Sequence, residues 1–126
     1  MIAPVHGLRL LCTKVGRFLL TTTHAVNYGY HMIEVRQTVR FAKWLKGLRD
    51  DQAFARITKR IERARVGNLG DVKFFGGIGE MRLDYGPGYR VYFVKQGEAI
   101  IILLCGGEKG SQAKDIRTAL EMAKEI

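Results

Sequence analysis

An α+β fold is what this sequence predicts, with an N-terminal strand and a helical hairpin packed on a small, mainly antiparallel sheet, and a C-terminal helix. Three observations carry the prediction. Apolar residues recur at helical spacing between Phe41 and Ala64. From Ile78 to Cys105 they alternate or run together in three stretches separated by glycine-containing turns. A last amphipathic stretch follows Gly106-Gly107. The predicted order is β-α-α-β-β-β-α, with the helices on one side of the sheet.

Ile33–Gln37 sets Ile33 and Val35 against Glu34 and Arg36, the alternation of a short first strand. Thr38 is placed to cap a helix whose apolar face is Phe41, Trp44, Leu45 and Leu48. Asp50 or Asp51 restarts a second helix with Phe54, Ile57, Ile61 and Ala64 as its stripe, and glycines 67 and 70 end it. Ile78–Tyr85 alternates Met81, Leu83 and Tyr85 against Glu80, Arg82 and Asp84. Gly86-Pro87-Gly88 turns the chain into Tyr89–Lys95, and Gln96-Gly97 turns it again. Ala99–Cys105 is almost continuously apolar, as a central strand buried on both faces is. Ser111 or Asp115 opens the last helix, with Ile116, Ala119, Leu120 and Ala123 inward.

Charge is unevenly distributed. Twenty-one Lys and Arg face twelve Asp and Glu, a net charge of +9, and every acidic residue lies at or after Glu34. Such an excess points to an anionic partner, either nucleic acid or an acidic protein segment. Residues 1–31 hold only Arg9, Lys14 and Arg17 as strong charges, together with His6, His24 and His31. The composition shift at Met32 is read as the natural start of a domain over residues 32–126. Residues 1–31 are then an upstream extension with little or no fold, or alternatively a short helix over Leu8–Leu20. Cys12 and Cys105 make neither a disulfide framework nor a zinc spacing, so a reduced, cytoplasmic setting without metal or cofactor is expected. No apolar run has the length of a membrane span.

Several runs in order carry a resemblance: Met32-Ile33-Glu34-Val35-Arg36, Gly70-Asp71-Val72-Lys73, Glu80 to Phe93 through Asp84-Tyr85-Gly86-Pro87-Gly88-Tyr89-Arg90, and Leu103 to Lys109 through Gly106-Gly107-Glu108. Together they resemble the addiction module killer protein (HigB-like) branch of the RelE/ParE toxins of type II toxin–antitoxin systems. The resemblance implies a toxin that enters the ribosomal A site and cuts mRNA without a metal. It also implies neutralisation by a cognate helix-turn-helix antitoxin, with operator DNA bound only through the antitoxin complex. A ParE-like inhibitor of DNA gyrase that cleaves nothing shares the scaffold and is the alternative. A degenerate toxin that keeps only antitoxin binding is a third possibility.

Attack by a ribose 2′-OH needs charge stabilisation on the phosphate, a proton acceptor and a proton donor. Arg82 and Arg90, counted outward from the Gly86-Pro87-Gly88 turn, share a sheet face, and Arg90 stands at the superfamily's Tyr-Arg position. Lys109, in the loop after the central strand, completes the catalytic set, and Lys73 is read as RNA-binding beside it. Lys43, Lys46, Arg56, Lys59, Arg60 and Arg63 make a basic helical field for RNA backbone, or else the solvated face of two helices. The bland readings are equally specific. Arg82 pairs with Asp84 or Glu80, Arg90 pins the turn through carbonyls, and Lys109 is solvent charge. Trp44 and the three tyrosines of the sheet pack, and Cys105 is a small buried hydrophobe. Gly110 to Asp115 holds no Tyr or His, where better-known relatives place one, so the general acid is unassigned. Asp84 and Glu80 are the candidate bases.

Overall fold

The computed structural model describes the backbone of residues 7–12 and 18–23 and the whole of residues 32–126. In chain order the elements are β1 (Gly7–Cys12), β2 (Phe18–Thr23), β3 (Glu34–Thr38), α1 (Val39–Lys46), α2 (Asp51–Arg65), β4 (Val72–Phe75), β5 (Ile78–Arg82), β6 (Tyr89–Gln96), β7 (Ile100–Glu108) and α3 (Gln112–Lys124), with a 3-10 turn at Lys109–Ser111 before α3. The fold is α+β. Among the described residues the strands form one mixed sheet in the order β1-β2-β3-β7-β6-β5-β4, in which β3 and β7 are parallel and the other neighbours antiparallel.

The termini of the hairpin helices follow from their capping residues. Thr38 Oγ1 accepts the Phe41 amide at 3.1 Å and donates to the Leu104 carbonyl at 2.6 Å, so one hydroxyl starts α1 and ties it to β7. Asp50 caps α2 through the Gln52 and Ala53 amides. With that start, the face of α2 toward the sheet is Ala53, Ile57, Ile61 and Ala64, all buried. Phe54, expected in the stripe, lies one position around the helix and is 43% exposed.

The predicted single helical layer is corrected. Val35, Met81, Val91, Phe93, Ile101 and Leu103 face α1 and α2, whereas Ile78, Tyr92, Ile102 and Leu104 face Ala119 and Met122 of α3. The helices therefore cover both faces, which is what the apolar run of β7 requires. Burial of one such side chain as fully as Ile57 stabilises the fold by roughly 1.5–3 kcal/mol. A bulge between Tyr92 and Phe93 adjusts β6 to β7.

Three further strands differ from expectation. The predicted order has no strand between Gly70 and Ile78, yet Gly76 and Gly77, at φ 59° and 87°, make a two-residue hairpin turn that folds Val72–Phe75 onto β5. Residues 7–12 and 18–23, expected to carry little fold or a helix over Leu8–Leu20, are strands. They pair with each other, and β2 pairs with β3 through Leu19↔Thr38 to Thr22↔Val35. His6, His24 and His31 lie outside the described residues. No helix among the described residues is long and apolar enough to cross a membrane.

Candidate functional site

The register of the sheet builds two cross-strand rows on the face that carries α3. Lys73 opposes Glu80, Glu80 opposes Tyr92, and Tyr92 opposes Cys105. Two residues along, Arg82 opposes Arg90 and Arg90 opposes Gly107. Directly opposed residues of antiparallel strands share a face, so Lys73, Arg82 and Arg90 stand on one side of the sheet. The sheet thus brings the two arginines together as their spacing from the turn predicts.

Each arginine has a carboxylate beside it. Arg82 Nη2 donates to Asp71 Oδ1 at 2.9 Å, not to Asp84 or Glu80 as its bland reading had it. That hydrogen bond holds the Asp71 carboxyl below its ordinary range and raises the Arg82 guanidinium above its own. Arg90 lies deeper, its side chain 11% exposed, with Nε 3.8 Å from Oε2 of the fully buried Glu80. Its Nη1 donates to the Tyr89 carbonyl at 3.3 Å, so the turn-pinning reading describes part of its environment.

Gly88 explains how Lys109 joins the group. A Cβ at Gly88, whose φ is +82°, would stand 3.2 Å from Lys109 Cβ and 3.6 Å from Arg90 Nη1. The Lys109 amide donates to the Gly88 carbonyl at 2.8 Å. Lys109 is exposed at the rim of the arginine row, held there by the turn. Lys73 is exposed on the far side, with Nζ 5.9 Å from the centre of the Phe75 ring. Four cations therefore border one stretch of sheet, with Asp71 and Glu80 set against two of them.

The helical field lies on the opposite face. Arg56, Lys59 and Arg63 line a cleft of about 670 Å3 with Asp51, Leu83 and Tyr85. Arg56 sits 4.4 Å over the Tyr85 ring, and Tyr85 donates to Asp50 at 2.9 Å. Lys43 and Lys46 are exposed on α1. Arg60 departs from the expected role: it donates to the carbonyls of Leu69, Asp71 and Arg82, the shortest at 2.7 Å. It clips α2 to the segment before β4 and to the last residue of β5.

The residues that the sequence underrated cluster around Glu80. Glu80 Oε2 accepts hydrogen bonds from Tyr92 Oη at 3.0 Å and from Gln112 Nε2 at 2.7 Å. Burial, with the Glu80 carboxylate beside it, pushes the Tyr92 hydroxyl far above its ordinary range, so it stays protonated as a donor. Glu80, named as a candidate base, has no surface with which to meet a substrate. Asp115 takes a hydrogen bond from Ser111 at 2.5 Å and packs on Gly107, where any Cβ would run into its carboxylate. Cys105 is buried, and its thiol is pushed up to about 12 by that burial and by the Asp115 charge. Among the described residues no group of three or more His, Cys, Asp or Glu side chains is arranged to hold a metal ion.

No protein-family model matches the chain, and no solved structure matches it. A relative described as an uncharacterized protein, from Haemophilus influenzae, is 45% identical over 95 residues, a stretch that covers 75% of this chain and 96% of the relative. With that identity and nearly the whole relative spanned, the chain belongs to the same family as the Haemophilus influenzae protein.

Proposed function

We propose that this protein is the toxin of a type II toxin–antitoxin module with a RelE/ParE-like fold, acting in the cytoplasm as a ribosome-dependent mRNA endonuclease. The observation that carries the reading is the Arg82–Arg90 row, with Lys73 on the same face and Lys109 at its rim. Guanidinium groups suit this task because they stay charged and can grip two phosphate oxygens. In the proposed reaction the 2′-oxygen bonds to the adjacent phosphorus as its proton passes to a base. The bond from phosphorus to the 5′-oxygen then breaks, and that oxygen leaves with a proton. The products are a 2′,3′-cyclic phosphate and a 5′-OH, so neither metal nor oxidant is needed. Arg90 and Arg82 stabilise the charge on the phosphoryl oxygens, and Lys109 at the open rim neutralises the leaving side. Lys43, Lys46, Arg56, Lys59 and Arg63 hold RNA backbone on the other face, in a salt-dependent manner. A helix-turn-helix antitoxin is the proposed partner, with operator DNA bound only in that complex.

A second reading has its own observation. Asp71 and Glu80 already sit against the two arginines, as they would if both were structural, and this favours a gyrase inhibitor that works by protein contact. Primer extension on translated mRNA after induced expression separates the two. New 5′ ends are expected with the unmutated protein, and Arg90→Ala is expected to lower cleavage by about 10²–10³-fold. Absence of new ends with the unmutated protein overturns the nuclease reading, and inhibition of supercoiling by purified gyrase then supports the second.

A further inference from the structure

Glu80 has no exposed surface, and the proposed chemistry leaves it without a part. Burying a carboxylate is unfavourable unless charge and hydrogen bonds around it compensate. Here the compensation is one-sided. Oε2 accepts from Tyr92 on β6 and from Gln112, the first residue of α3, and faces Arg90 Nε at 3.8 Å. Glu80 Oε1 and Arg90 Nε are both buried, and neither has a hydrogen-bond partner among the described residues. The two donors on Oε2 fix the carboxylate from β6 and α3. The oxygen they fix, Oε2, is the one that faces the inner edge of the guanidinium. The outer end of Arg90 reaches the rim at Gly88, beside Lys109.

We propose that Glu80 is a positioning residue, which holds the Arg90 guanidinium with Nε inward and its outer nitrogens at the rim, ready for a phosphate. The proposal rests on reading this face as the phosphate site. An arginine held in this way beforehand loses less rotamer freedom when it grips an anion. Tyr92 and Gln112 act one step further back, by orienting Glu80. Because Gln112 opens α3, the same carboxylate ties the seating of that helix to the arginine.

Nitrogen-15 NMR tests the holding directly in the unmutated protein, with Arg90→Lys used to assign the signal. The Arg90 Nε–H resonance is expected to exchange with water at least about tenfold more slowly than that of exposed Arg49 at neutral pH, as a donor buried beside a carboxylate does. Exchange as fast as that of Arg49 overturns the proposal. Glu80→Gln, nearly isosteric, is expected to move the resonance and to lower kcat by about tenfold in the wild-type background. In the Arg90→Ala background it is expected to do nothing further, since it acts through Arg90. An equal loss in both backgrounds overturns the proposal, as would unchanged kcat in an active enzyme. Should Glu80→Gln fail to fold, Tyr92→Phe replaces it in the same cycle. If the unmutated protein cuts no mRNA, the nuclease reading fails by itself, and the exchange of Arg90 Nε–H alone decides whether Glu80 holds the arginine.

Discussion

Asp71 and Arg82 meet at 2.9 Å between the residue before β4 and the last residue of β5, and Asp50 meets Tyr85 at the same distance across the other face. Both carboxyls are held below their ordinary 3.8, Asp50 chiefly by the Tyr85 hydroxyl and Asp71 chiefly by Arg82. A carboxyl whose folded value is depressed stabilises the fold fully above its unfolded value, and loses that contribution as pH falls through the folded value. Stability is therefore expected to fall as the medium is acidified below about pH 4. Urea titrations at a series of acidic pH values check this, and Asp71→Asn is expected to flatten the dependence. Both groups are exposed, so the effect is small and weakens with salt. At this scale the sequence was partly legible. Counting from the turn put Arg82 and Arg90 on one face, because strand side chains alternate with period 2. The Asp71 partner was hidden, since it depends on β4, which carries no clear alternation. Glu80 was misread because alternation tells which residues share a face but not which faces are covered.

Among elements, β7 tests that distinction most sharply. Its unbroken apolar run announced a strand covered on both sides, and α1 and α3 do cover it. The one-sided arrangement expected of the helices contradicted that run, and the run was the better guide. Thr38 links two elements through one hydroxyl, with the amide of α1 on one side and the buried Leu104 carbonyl on the other. Thr38→Ala removes the cap and leaves that carbonyl without its donor, so a loss of about 2–3 kcal/mol in urea unfolding is expected. The cap of α1 was readable in advance because Thr before an apolar helical pattern has a local cause. The register of α2 was not: Ala53 and Phe54 both fit a helical stripe, and the sheet selects the smaller residue for close approach.

For the whole molecule, the two basic regions occupy opposite faces of the sheet, a separation invisible while all helices were assigned to one side. The two core clusters are made of side chains within residues 32–126, the part of the chain whose side chains are described. A protein cut to residues 32–126 is accordingly expected to unfold in urea in a single cooperative transition, with both core clusters intact. A broad, non-cooperative transition would show that the β1–β2 hairpin contributes more than the edge pairing to β3. The composition shift at Met32 marked a change in charge, but it gave no sign of strands at residues 7–12 and 18–23. Their pairing is made through the backbone, for which charge patterning is no guide.

The parallel pairing of β3 with β7 sets Glu34 beside Ile100 and Gln37 beside Leu103. Neighbours in the middle of the sheet are thus drawn from distant parts of the chain, and contacts of such high sequence separation slow folding. On a ribosome β3 emerges with α1 and α2 well before its partner exists. Charged Glu34 and Arg36, paired at 3.1 Å, discourage that waiting edge from joining other strands. The central sheet closes, and the arginine face gains its last strand, only after the greater part of the polypeptide has been made.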